Sequence, residues 1–127
     1  MAFASGQCWT YRAPEGFDHS RLVIGAIVTF DGGRAVICAS VFGAPRQLSD
    51  GTLATVDIPF LPLTREAFAQ TVLTQDGEAE PAAHFMEKLE GWSKDPRGLS
   101  VFTVPFEGFL DQLIARQMAE IMQRPAA

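Results

Sequence analysis

The sequence predicts an α+β fold: a strongly curved antiparallel sheet of about five strands, an N-terminal meander plus one late strand, covered by about three helices. Three observations predict it. Two long apolar runs, 22–30 and 35–43, meet at Asp31-Gly32-Gly33, and Asp-Gly or Gly-Gly supplies the positive φ angles of a tight hairpin. Both runs are rich in β-branched residues, which suit a pleated strand. The second half of the chain then carries apolar residues at helical spacing between proline and glycine punctuation.

The hairpin organises the rest. At a period of two, Leu22, Ile24, Ala26, Val28 and Phe30 share one face, yet Val23, Ile27 and Thr29 leave the other mostly apolar too. Such poor alternation predicts a central position in the sheet with cover on both sides. Gly25, in mid-strand, signals a bulge, a close backbone approach or a sharply twisted strand. If Gly32-Gly33 forms the tip, Asp31 and Arg34 face each other; if Asp31-Gly32 does, they do not.

The remaining elements follow in order. Residues 6–12 read as a first strand, with Trp9 and Tyr11 alternating against Cys8 and Thr10. Ala13-Pro14-Glu15-Gly16 reads as a turn. After Gly43 a polar loop runs to Gly51, and residues 53–58 read as a half-buried strand that Pro59-Phe60-Leu61-Pro62 stops. Thr64 can cap a short helix with Phe68 and Val72 on one face, ending before Asp76-Gly77. Pro81 suits the first position of a second helix with Phe85, Leu89 and Trp92 along one stripe. Asp95-Pro96-Arg97-Gly98 reads as a turn, residues 99–104 as the late strand, and Pro105 as the start of a last helix to about Gln123. That helix carries a wide apolar stripe, Phe106, Phe109, Leu110, Leu113, Ile114, Met118, Ile121 and Met122, enough to cover one face of the sheet.

Bulk properties bound the function. At 127 residues one domain, spanning 1–127, is expected, large enough to bury roughly two-thirds of its unfolded surface. An apolar share of 47% against 20% charged places the chain among globular proteins. The formal net charge of −5 argues against a nucleic-acid binder, whose affinity comes from cationic contacts to phosphate. Most of that charge lies in residues 74–95, where Asp76, Glu78, Glu80, Glu87, Glu90 and Asp95 face only Lys88 and Lys94. This run reads as a solvated helix and loop, or as an acidic docking face for a basic partner. No apolar run reaches the ~18 residues of a membrane helix. The N-terminus lacks the basic start and apolar core of a secretory signal, so the expected compartment is the cytoplasm, with no membrane association. Cys8 and Cys38 are then expected to be reduced, Cys38 as a small core residue; a disulfide between neighbouring strands is the alternative.

Catalytic constellations are missing. Asp18-His19-Ser20 has the residue types of a triad, but in an extended segment His19 points away from its neighbours, and no G-x-S-x-G elbow exists. His19 and His84, the only histidines, have no metal-ligand spacing around them. Neither phosphate-binding glycine loop is present, and Pro59-Phe60-Leu61-Pro62, though a P-x-x-P, reads as packed. No catalytic residue, metal or cofactor is expected. The candidate recognition patch is Trp9, Tyr11 and Arg12 with Glu15 and Arg21, since aromatics and arginine are enriched at hot spots. Trp9 and Tyr11 share a face and also read as core, the preferred reading.

Gly6-Gln7-x-Trp9-x-Tyr11-Arg12, then Gly16 and Ser20-Arg21-Leu22-Val23-Ile24, resembles a family of small bacterial single-domain proteins of unassigned function. Ile58-Pro59-Phe60-Leu61-Pro62 followed by a helix, and the G-x-x-x-F-T of residues 98–103, extend the resemblance over most of the chain. It implies a bacterial single-domain protein and brings no catalytic residues. Together these readings predict a non-enzymatic binding protein that engages a protein partner, with a homodimer through the C-terminal helix as a further possibility. The alternative is a small-molecule binder or small enzyme with a pocket between sheet and helices.

Overall fold

The computed structural model describes residues 2–30, 32–95 and 100–123, with side chains to residue 119. Strands β1 (Gln7–Tyr11), β2 (Arg21–Thr29), β3 (Ala35–Gln47) and β4 (Leu53–Thr64) lead into helix α1 (Arg65–Thr71), strand β5 (Val72–Glu78), and helices α2 (Phe85–Ser93) and α3 (Leu110–Gln123). The five strands form one antiparallel sheet in the order β4-β3-β2-β1-β5. The expected fold class holds.

The sheet is covered on both faces, as the poor alternation of the central hairpin demands. On one side Trp9, Tyr11, Leu22, Ile24, Ile37 and Leu61 meet Phe68 of α1, Leu113 of α3 and Phe106 from the segment before α3. On the other, Val36 and Cys38 meet Phe85 of α2, flanked by Phe60, Leu89 and Trp92. A bulge at Gly25 distributes β2 between the two cores. Ile24 lies opposite Ala39 but Ala26 opposite Cys38, so one extra residue reverses the side-chain parity. Leu22, Ile24 and Ile27 join the first core, whereas Ala26, Val28 and Phe30 join the second. The expectation that these alternate residues share one face is therefore corrected.

Glycine is required there for a second reason: a Cβ on Gly25 would stand 2.3–2.7 Å from three ring carbons of Phe85. The hairpin tip also differs from either two-residue alternative. The Phe30 amide donates to the Arg34 carbonyl (2.8 Å), which leaves a loop of three residues; Asp31 itself lies outside the described residues.

Several element boundaries move. The β4 strand runs through Pro59 and Pro62 because it is a sheet edge, where a missing N–H costs no ladder bond, and because a bulge between Ile58 and Leu61 absorbs the irregularity. Likewise β3 continues past Gly43 to Gln47, and Pro45 lies beyond the last residue paired with β2. The α1 helix is capped as expected, Thr64 Oγ1 accepting from the Ala67 amide (3.1 Å), but it ends at Thr71. Residues 72–78, expected to be helix and turn, instead form the fifth strand against β1. The segment expected to be that strand makes only one parallel bridge, Leu63 to Phe102, on the outer edge of β4; residue 99 and the expected turn at 96–98 lie outside the described residues. The last two helices start later than the prolines suggest. Phe85 opens α2 behind His84, whose φ is +68°, and Leu110 opens α3 behind Gly108 at φ +112°.

The connection from β4 to β5 reveals how far the sheet curls. In a flat sheet these opposite edges would lie about 19 Å apart, four strand spacings. The seven residues of α1 span only about 10–11 Å. The edges approach each other through twist and curl, helped by two register shifts between β1 and β5, and the sheet remains open.

Candidate functional site

Three buried hydroxyls act in the same way, and that way is structural. Ser20 Oγ donates to the Phe42 carbonyl (2.9 Å), so it accepts from the Tyr11 hydroxyl 2.7 Å away. Ser40 Oγ donates to the Pro59 carbonyl (2.8 Å) and accepts from the Ala82 amide (2.9 Å). Thr71 Oγ1 donates to the Ala67 carbonyl (2.8 Å) and accepts from the Phe106 amide (3.0 Å). Each hydroxyl proton goes to a backbone carbonyl rather than to a base, so none is activated as a nucleophile. Each clamp joins segments distant in sequence.

The thiols are equally committed. Burial pushes the Cys38 thiol up to about 12 and raises that of Cys8, with the Asp76 carboxylate adding to the effect and Arg21 opposing it. Both cysteines are free. Cys8 pairs with Val23 and Cys38 with Ala26, on opposite sides of β2. Two strand spacings, about 9.6 Å, exceed the roughly 7 Å limit for a disulfide.

The predicted recognition patch divides. Trp9 and Tyr11 are each only 5% exposed. Trp9 packs edge-on to Phe3 (5.4 Å), Tyr11 lies against Phe106 (5.4 Å), and burial raises the Tyr11 phenol. They belong to the core and present no aromatic surface. Arg12 and Glu15 are exposed. Arg21 binds inward: its Nε meets Asp76 Oδ2 at 2.7 Å, and its Nη1 donates to the carbonyls of Asp18 (2.6 Å) and Ser20 (2.9 Å). It thereby ties the start of β2 to the edge strand β5. In the acidic run, Glu87 meets His84 (3.2 Å) and Glu90 meets Lys94 (2.6 Å) on the surface. Asp18, His19 and Ser20 do not converge, since Ser20 is buried while Asp18 and His19 are exposed.

The surface that stands out is α3. Its inner side is fixed by Leu113, which is 2% exposed, and by Gln117, whose Oε1 accepts from the Thr103 amide (3.2 Å) and hydroxyl (3.0 Å). Four residues apart on the outer side, Ile114 and Met118 are 44% and 53% exposed. The expectation that this helix covers a sheet face is corrected: among its described residues only Leu110 and Leu113 reach that core, beside Phe106 that precedes it and Phe68 of α1. Gly108 explains why, since its positive φ breaks the helix there and a Cβ would stand 2.5 Å from Pro14 Cδ. The stripe continues in sequence to Ile121 and Met122, whose side chains lie outside the described residues. Beside the helix, Leu110 borders a groove of about 440 Å³ shared with Phe60, Pro62, Phe102 and Trp92. The Trp92 indole is held there by a bond to the Ser100 carbonyl (2.7 Å).

Fold and surface define an α+β protein with a doubly covered, curled antiparallel sheet and one helix carrying an uncovered apolar stripe. No family model, curated protein or solved structure matches the chain. Among the described residues no helix is long and apolar enough to cross a membrane.

Proposed function

We propose that this chain is a small bacterial, cytoplasmic, non-enzymatic interaction protein that engages a protein partner through the outer stripe of α3. The observation that carries the reading is the contrast within one helix: Leu113 is buried while Ile114 and Met118 stand in solvent. Amphipathic helices commonly offer such i, i+4 anchors to a partner. The engaged hydroxyls and raised thiols support a non-enzymatic role. A second copy of the chain, joined through α3, is the homomeric form of the same proposal.

The test is the double variant I114E/M118E, compared with wild type by capture from the source cell and native mass spectrometry. The stoichiometric partner, or the dimer, is expected to disappear while the thermal midpoint stays within a few degrees, because both positions are exposed. A partner retained by the double variant would move the interface elsewhere.

A further inference from the structure

We propose, resting on the reading of α3 above, that the partner of its outer stripe is a second copy of this chain, and that each copy seats Ile114 and Met118 in the other's groove beside Leu110. Stripe and groove lie on one face of the molecule, because Leu110 opens α3 and also lines the groove. The groove, about 440 Å³ in volume, is walled by Phe60, Pro62, Trp92 and Phe102. A face that carries an apolar ridge beside an apolar groove is complementary to itself across a twofold axis, and isologous pairs of this kind are the commonest oligomers.

Charge selects this occupant. At about 100° between successive helix residues, Leu110 flanks Ile114 on the groove side. Asp111 flanks it on the opposite side, where it lines a separate depression with Arg46 and Asp57. Two such helices related by a twofold axis run antiparallel, α3 of the second copy filling the groove between α3 and α2. Asp111 of that copy then points away from its own groove, toward the α2 rim of the other. There Lys88 is the one charged side chain among the described lining residues. Lys88 and Asp111 are both exposed, and neither makes a side-chain hydrogen bond or ion pair with a described residue. The acids beside Lys88 on α2 are engaged, Glu87 with His84 (3.2 Å) and Glu90 with Lys94 (2.6 Å). The twofold axis makes the Lys88–Asp111 contact twice. The net charge of −5 on each copy opposes association at long range, but a Debye length of about 8 Å in physiological salt screens that repulsion more than it screens an ion pair in contact.

The test is the mass of the full chain by light scattering in physiological salt, with native mass spectrometry of mixtures. The 13.8 kDa chain is expected to move toward twice that mass as its concentration rises to about 0.5 mM, a weak limit for a specific complex. K88E and D111K should each weaken the dimer about tenfold or more, since two attractive contacts become repulsive. An equimolar mixture of K88E and D111K should recover the dimer as a heterodimer, because both contacts then join opposite charges. A merely structural role for either residue would not produce that rescue. I114E/M118E should be monomeric, and circular dichroism checks that each variant is folded. A wild type that stays monomeric at about 0.5 mM would overturn the second copy as partner and leave α3 to a different protein. A dimer lost in I114E/M118E but indifferent to K88E and D111K, or a mixture without heterodimer, would overturn the seating in the groove alone. A dimer that survives I114E/M118E would remove the α3 reading as well.

Discussion

Gly25 and Phe85 form a lock whose two halves lie sixty positions apart. The bulge at Gly25 turns β2 over, and the missing Cβ admits the Phe85 ring that fastens α2 to the sheet. Gly25→Ala should destabilise the protein by about 1–3 kcal/mol, the usual cost of overpacking. Phe85→Leu, costly alone, should recover part of that loss when combined with it, a coupling measurable by urea unfolding of the double-mutant cycle. Additive losses would show that the ring does not occupy the space the glycine leaves. The sequence makes Gly25 conspicuous in a β-branched run, and both the bulge and the close approach were legible as alternatives. The identity of the approaching group was not, because nothing local to Gly25 points to residue 85. Trp9 and Tyr11 illustrate the same limit. Their shared face was plain, but only the packed sheet distinguishes a core face from an exposed one.

Elements were easier to detect than to delimit. The four-strand meander, the Thr64 cap and the stripe of Phe85, Leu89 and Trp92 follow from local rules and are present. The missed boundaries have tertiary causes. Residues 72–78 extend because β1 needs a second neighbour, and β4 tolerates two prolines because it is an edge. The start of α2 has a testable cost. His84 precedes the helix at φ +68° with no side-chain cap bond, and a side chain in that region costs roughly 1–2 kcal/mol. His84→Gly should therefore stabilise the fold by about 0.5 kcal/mol after the entropy of the freer unfolded glycine. The contact it gives up with Glu87 is exposed and worth little. A lower urea midpoint in H84G would mean that the imidazole contributes more than its surface position indicates. Both sheet edges are blunted. The outer side of β4 takes the amide of Phe102 through the Pro62 carbonyl (3.0 Å), and β5 is bulged and acidic, a pattern that discourages edge-to-edge association.

At the scale of the molecule, two cores share one set of strands, and each contains a tryptophan. Trp9 reports the face under α1, Trp92 the face under α2. Because β2 and β3 contribute side chains to both, the cores should unfold together. Trp9→Phe leaves Trp92 as the sole indole and Trp92→Phe leaves Trp9. After correction for each variant's own stability, their fluorescence transitions should coincide with the circular dichroism transition in urea. Separate transitions would make α2 and its small cluster an independently melting unit.

The strand order also sets a timetable. Tyr11 on β1 finds its β5 partner, Val72, some sixty residues further along the chain. On a ribosome adding roughly 5–20 residues per second, the outer side of β1 therefore waits about 3–12 s for its partner to be synthesised. During that interval the meander has one exposed flank, made from a strand whose Trp9 and Tyr11 side chains end up in the core. A nascent chain stalled before residue 72 would be a natural client for a chaperone, while one extended through residue 78 and clear of the exit tunnel could shield that flank by itself.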